Sequence, residues 1–264
     1  MGVTYRELDW YSAPRYYDLV FSSLNEREGE FLSAIYDGYA PRGRRRVLEP
    51  ACGSGRLLEI LAEQDFAVTG FDLSKPMVEY AKGRLREAGA RRPRVRVGVM
   101  AAFSMRGRFE MAHCLVSSFK YLLSEKQAAS HLQHVADVLV PGGIYVLGFH
   151  LSDYDSEEQE SERWLAKRNG LSVTCTITSW PPNRRTRKER IRSRLVVREG
   201  KSVDRFETNW TFRTYDENQV RSLLRKVPDL EHIATYDMGY DLEREQELGA
   251  EHFDQVLVLR KRRF

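Results

Sequence analysis

The sequence predicts a doubly wound α/β fold with an antiparallel β-meander inserted into it, and three observations carry that prediction. Between Arg46 and Leu151 five short apolar runs alternate with segments of helical periodicity, the pattern of βαβ crossovers and a mainly parallel sheet. After Leu151 the period shortens to two, as in antiparallel strands. Two late apolar runs, LEHIATYDM and HFDQVLVLRK, have no helix-length apolar period between them and can join as an antiparallel hairpin. The sum is a seven-stranded sheet, mostly parallel, closed by that hairpin.

Each element has its own signal. EREGEFLSAIYDGY (26–39) places Phe31, Ile35 and, loosely, Tyr39 on one helical face, and Ala40-Pro41 ends the helix. RRVLEP is a short buried strand and GRLLEILAEQ a helix. AVTGFD is the second strand, and SKPMVEYAKGRLREAG a helix with Ser74 as N-cap, Pro76 in its first turn and Gly89 at its end. VRVGV and FEMAHCLVSS follow as strands, then the helix SEKQAASHLQHVADVLV. Pro141-Gly142-Gly143 predicts a turn before the strand IYVLGFHL. LSVTCTITSW, RKERIRSRLVV and KSVDRFETNWTFRTY then read as a three-stranded meander, with Ile191, Ser193, Leu195 and Val197 inward and arginines outward. The helix DENQVRSLLRKV returns the chain to the main sheet. The organisation expected is a tyrosine-rich lid over 1–40, a core over 41–150 and 215–264, and an inserted β subdomain over 151–214.

Bulk properties bound the function. The chain has 264 residues, 42% hydrophobic and 11% aromatic, enough to bury a sizeable core. Charged residues make up 30%, and no window approaches the ~18 apolar residues of a membrane span. MGVTYRELDWYSAPRYYD lacks the basic-then-apolar order of a secretory signal, so a cytoplasmic protein is expected. Cys52, Cys114 and Cys175 are too few and too scattered for a disulfide framework or zinc ribbon and are expected as reduced thiols. The net charge of +4 conceals basic runs, RRTRKERIRSR (184–194) among them, and the acidic run DYDSEEQESE (153–162), all expected as solvated faces or loops.

VLEPACGSGRLLEI (47–60) carries the chemistry. A glycine turn between strand and helix presents backbone N–H groups and permits close approach of a ligand. A dinucleotide fingerprint centred on Gly53 needs glycines where Ala51 and Arg56 stand, and a phosphate loop needs a lysine that this turn lacks. What remains is an acid at the first strand end, Glu49, the alternating Ala51, Gly53 and Gly55, and Asp72 at the end of the next strand.

On those residues the stretch EPACGSGRLLEILAEQDFAVTGFDLSKPMVEYAKGRL resembles the first two motifs of class I S-adenosylmethionine-dependent methyltransferases, which have a Rossmann-like sheet. The resemblance continues through VRVGVMAAF, FEMAHCLVSSFKYL and LVPGGIYVLGFHL. It implies that Glu49 lies near the aminoacyl part of S-adenosylmethionine, that the glycine loop lets the cofactor pass, and that Asp72 accepts from both ribose hydroxyls. Arg56, Leu73, Met77 and Leu115 join that expected cofactor set. Where relatives carry Gly-Asp after the third strand this chain has Gly98-Val99, so adenine is expected to rest on backbone and apolar atoms near Met100 and Ala101. The product implied is S-adenosylhomocysteine.

The inserted meander and the tyrosine-rich first segment are similar to small-molecule methyltransferases such as glycine N-methyltransferase and the amino-sugar N,N-dimethyltransferases. Tyr16-Tyr17-Asp18-Leu19 resembles their Tyr-Asp motif, making Tyr17 a candidate cofactor and catalytic contact. His150, at the end of the fifth strand, projects toward the acceptor side and is the candidate base. His113 reads as buried packing, and His131, His134 and Asp137 as an exposed helical face, not a metal site. The acceptor expected is a small molecule with a nitrogen or oxygen nucleophile, served by a monomer or homodimer. The alternatives are an RNA or protein methyltransferase using the arginine-rich meander, and a non-catalytic, cofactor-binding regulatory protein.

Overall fold

The computed structural model describes residues 4–22, 25–249 and 253–263. Residues 1–3 of the expected lid and His252, the first residue of the expected last strand, lie outside the described residues.

The chain begins with a two-residue strand, β1 (Arg6–Glu7), a 3-10 turn at Trp10–Ser12 and helix α1 (Pro14–Phe21). Helix α2 (Asn25–Tyr39) buries Phe31 and Ile35 and stops before Pro41, as the periodicity predicts. The alternating region is β2 (Arg46–Pro50), α3 (Arg56–Glu63), β3 (Ala67–Asp72), α4 (Lys75–Glu87), β4 (Arg94–Val97), β5 (Phe109–Cys114), α5 (Glu125–Val138) and β6 (Leu139–His150). Ser74 caps α4 by accepting from the Met77 amide, and Ser124 with Gln127 forms a capping box on α5.

The insertion is a four-stranded antiparallel meander, β7 (Glu160–Arg168), β8 (Leu171–Ser179), β9 (Lys188–Glu199) and β10 (Ser202–Arg213), where three strands are predicted. β7 escapes the periodicity because it is an edge strand whose side chains are nearly all exposed, so no apolar alternation marks it. On β9, Ile191, Ser193, Leu195 and Val197 are buried as predicted. β1 pairs parallel with β10, making this sheet five-stranded. Helix α6 (Glu217–Arg225) then leads to β11 (Leu230–Tyr236) and β12 (Asp254–Lys261).

The main sheet runs β11-β12-β6-β5-β2-β3-β4, with β12 antiparallel to both neighbours. Strand order reverses between β2 and β5, so the carboxyl ends of these strands form the crevice where ligands of doubly wound sheets bind. Pro141-Gly142-Gly143 is not a separate turn. It lies inside β6 as an irregularity between the Phe109–Leu139 and Met111–Ile144 pairs, with Gly142 at φ +79°.

Apolar residues cover both faces of the main sheet, and a smaller cluster joins Trp10, Leu19 and Val20 to Val173, Cys175 and Leu195 of the insertion. The three cysteines are free and buried. Among the described residues no helix is long and apolar enough to cross a membrane.

Candidate donor and acceptor sites

The turn after β2 takes its shape from three left-handed residues, Ala51 (φ +56°), Gly53 (φ +51°) and Gly55 (φ +74°). At Gly55 a Cβ would stand 2.8 Å from the Cβ of Ala81, so its absence lets α3 start against α4. Asp72 ties the turn to the next helix: Gly53 N donates to its Oδ2 (2.9 Å) and Ser74 N to its Oδ1 (2.8 Å). A carboxylate has about four acceptor positions, so two remain for vicinal hydroxyls. Burial raises the Asp72 carboxyl above its usual range, and the two backbone N–H bonds counter it.

Glu49 is buried at the end of β2, and its Oε2 has no hydrogen-bond partner. Burial pushes its carboxyl well up, against the pull of Arg56. His113 on β5 places Nδ1 3.8 Å from Glu49 Oε1, with both ring nitrogens unpartnered. Burial lowers this imidazole to about 3, so it is neutral. Packing, as the sequence suggests, describes its burial but not these orphaned polar atoms. A buried carboxylate left without a partner carries a large cost that a ligand ammonium removes. The pair therefore fits the aminoacyl end of S-adenosylmethionine.

Arg56 takes another partner than the one expected: its guanidinium pairs with Glu28 and donates to Asn25 Oδ1 (2.9 Å), bracing α2. The Met77 side chain is buried, and Leu115 packs in the core beside Gly148. Leu73, in contrast, is 72% exposed beside Asp72. The Met100 and Ala101 carbonyls already accept from His131 Nδ1 (3.1 Å) and Ser130 Oγ (2.8 Å). Val99, like Leu73, is exposed nearby.

His131 corrects the reading of an exposed face. It is fully buried, its Nε2 accepts from the Tyr145 hydroxyl (2.7 Å), and burial lowers it to about 4. Its Nδ1–H therefore donates to Met100 O and anchors the loop after β4. Among the described residues no group of three or more His, Cys, Asp or Glu side chains is placed to hold a metal ion.

The first segment closes over the turn. Tyr17 Cε1 lies 3.9 Å from where a Gly53 Cβ would be, and burial pushes its phenol to about 12. Asp18 is buried and accepts from Ser54 Oγ (2.9 Å) and the Arg84 guanidinium (2.5 Å), while Ser74 Oγ donates to Tyr11 O (3.0 Å). Tyr17 thus roofs the donor turn, and Asp18 pins the roof in place.

On the other side of Tyr17 opens a cavity of about 530 Å³ between the two sheets. All four tryptophans of the chain, Trp10, Trp164, Trp180 and Trp210, line it. A groove of about 710 Å³ beside Tyr80 and Arg84 is larger, but it is an open, mainly polar surface away from the strand ends.

The cavity floor holds His150, half-buried, with its exposed edge toward the cavity. Its Nδ1 is 3.0 Å from Ser117 Oγ, and its Nε2 contacts Lys120 Nζ. Lys120, wholly buried, donates to Glu189 Oε1 (2.8 Å), which is also 3.2 Å from His150 Nε2. Burial lowers both Lys120 and His150, and the Lys120 charge lowers His150 further. At Glu189 burial works upward, but the His150 hydrogen bond and the Lys120 charge outweigh it and hold the carboxyl at about 2. Glu189 is therefore a carboxylate beside a neutral imidazole, with Lys120 Nζ in contact with both. Val116 (φ +56°) and Ser117 (φ +62°) stand in strained left-handed backbone at this floor.

Sequence reasoning misses Lys120 and Glu189. Glu189 is legible after the fact, since it shares the inward phase of Ile191 and Ser193 on β9. Lys120 carries no periodic signal, for it sits in the 3-10 turn Ser118–Tyr121.

Residues 47–143 match the methyltransferase domain family. In fold the chain is similar to DesVI of Streptomyces venezuelae, with TM-score 0.74 at 19% identity over 97% of this chain and 100% of that one. The matched stretch is a methyltransferase domain, and the chain shares its fold with S-adenosylmethionine-dependent methyltransferases of known structure. Two N-methyltransferases are among the proteins it resembles in sequence. The dTDP-3-amino-3,6-dideoxy-alpha-D-glucopyranose N,N-dimethyltransferase of Streptomyces fradiae is 30% identical over 134 residues, 50% of each chain. Rat glycine N-methyltransferase is 29% identical over 157 residues, 54% of this chain and 53% of that one. The match thus spans about half the length of these two relatives.

Proposed function

We propose that this protein transfers the methyl group of S-adenosylmethionine to a nitrogen of a small molecule held in the tryptophan-lined cavity. The observation that carries the reading is the shared wall: Tyr17 covers the donor turn on one face and lines the cavity on the other. S-adenosylmethionine supplies an electrophilic methyl carbon, and the chain aligns and holds. Asp72 accepts from the ribose hydroxyls, Glu49 takes the α-ammonium, and Leu73, Met100 and Ala101 pack the adenine.

His150 is the proton acceptor in this reading. A protonated amine has no lone pair to form the new N–C bond, so its proton must leave first. The imidazole is neutral and takes that proton, and Glu189, 3.2 Å from Nε2, offsets the charge of the imidazolium formed. The C–S electron pair stays on sulfur, giving S-adenosylhomocysteine and a methylated ammonium product.

The arginines of β9 support a small acceptor over RNA. Arg190 and Arg192 lie over Trp180 (3.7 and 5.0 Å), and Arg194 binds Glu207 (2.7 Å), so these cations are already engaged. A cytoplasmic setting, with one or two copies of the chain, completes the proposal, and the three free thiols suit it. The test is incubation with methyl-labelled cofactor and a metabolite fraction, with and without RNase. RNase-resistant label transfer with S-adenosylhomocysteine formation is expected. Label lost on RNase treatment selects the RNA reading, and cofactor binding with no transfer selects a non-catalytic protein.

A further inference from the structure

The cavity has a charge pattern opposite to the one that a phosphorylated acceptor needs. Asp153, Glu158, Glu160, Glu162 and Asp254 stand around its mouth, and no ion pair engages any of their carboxylates among the described residues. Among the described residues no arginine or lysine lines it, and the imidazole of His150 is neutral. A diphosphate is bound elsewhere by arginine forks and lysines, and among the described residues none lines this space.

The walls point to the other half of the ligand. Trp10 and Trp210 lie 4.9 Å apart, Trp210 and Phe212 6.0 Å, and Tyr121 and Phe212 4.8 Å. Aromatic faces attract cations and stack on flat or apolar bodies. Ser152, buried at 8% exposure, lines the cavity with Oγ unpartnered, as does Trp210 with Nε1. These two await a polar atom of a ligand.

We propose that the acceptor is an unphosphorylated, cationic amine with a flat or apolar body, steered in by the carboxylates at the mouth and seated against the tryptophans. This separates the chain from relatives that act on dTDP-linked sugars, as the Streptomyces fradiae enzyme does by its name. The incoming charge is matched by opposite charge at the rim, which raises encounter rates and rejects anions. The inference rests on the methyl-transfer reading, of which it specifies the substrate class.

Because every tryptophan of the chain lines this one cavity, intrinsic fluorescence reports on its occupancy. The probes are tyramine and tyramine O-phosphate, titrated at 20 and 500 mM salt with S-adenosylhomocysteine present. Tyramine is expected to quench, and its phosphate ester to bind at least about tenfold more weakly at low salt, with the gap narrowing at high salt. In the triple variant Asp153→Asn, Glu160→Gln, Glu162→Gln the gap should close by at least about fivefold at low salt. Phosphate ester binding as tightly as tyramine, no quenching by either probe, or a gap unaltered in the triple variant overturns the proposal. Calorimetric S-adenosylhomocysteine binding is measured on the same samples. Its absence defeats the methyl-transfer reading itself, whereas normal binding with a preference for the phosphate ester defeats only the acceptor class.

Discussion

Asp72→Asn is the sharpest perturbation of the donor site. The native carboxylate already holds Gly53 N and Ser74 N at 2.9 and 2.8 Å and has two acceptor positions left for the ribose. Asparagine exchanges one oxygen for an N–H₂ donor, so one ribose bond is lost and the other loses its charge assistance. Hydrogen bonds to a charged group contribute about 1.5–3 kcal/mol each, so the combined loss is about 3 kcal/mol. That corresponds to S-adenosylhomocysteine binding weakened roughly 150-fold. The new amide also faces a backbone N–H, which costs about 1 kcal/mol of fold stability and a few degrees in Tm. Calorimetry gives the affinity, and scanning fluorimetry of the unliganded protein gives the stability. Affinity within about threefold of the native protein, in a folded variant, would refute the assignment of Asp72 to the ribose.

Other outcomes follow from the same geometry. His150→Ala should lower methyl transfer about 100-fold with unchanged S-adenosylhomocysteine affinity, read by labelled-product assay and calorimetry; undiminished turnover removes it as the proton acceptor. Lys120→Met leaves Glu189 buried without its cation, so unfolding in urea should show a loss of about 3–5 kcal/mol, partly recovered by adding Glu189→Gln; equal stability of the single and native proteins contradicts the buried pair. Gly55→Ala meets Ala81 at 2.8 Å from a left-handed backbone, and its cost of about 1–3 kcal/mol should appear in the same urea experiment. His131 is buried neutral at about 4 against 6.5 unfolded. The unfolded chain therefore binds the extra proton first, and stability should fall as pH drops from 6.5 toward 4, with about 3 kcal/mol at stake. A flat stability profile across that range in urea unfolding would count against a neutral, buried His131.

Much of the candidate donor site is legible in the residues because its constraints are local. A strand end, three left-handed backbone positions and a second acid nineteen residues after Gly53 occupy one crossover unit, and each leaves a residue-type mark. The acceptor site is otherwise. Its floor joins Lys120, His150 and Glu189 from a 3-10 turn, a main-sheet strand and the insertion, 30 to 69 residues apart. No period links such positions, so only His150, marked by its place at a strand end, is visible beforehand. β7 is hidden for a related reason: an edge strand with exposed side chains on both faces has no alternation to display. The acidic run before it reads as solvated loop and is solvated, yet its position at the cavity mouth depends on where the meander folds back.

The pairing of β1 with β10 has a consequence for the order in which the molecule is assembled. Arg6 and Glu7 meet Phe206 and Glu207, and Thr208 Oγ1 bonds Leu8 O across 200 positions of chain. Closing a loop of that length carries an entropic cost that only contacts made across the whole molecule repay. During synthesis the first strand waits for a partner made two hundred residues later, and the Rossmann-like half can already be compact by then. The roof over the donor turn is therefore fastened by the same sheet that bounds the acceptor cavity, so loosening β1 would disturb both halves of the candidate site at once.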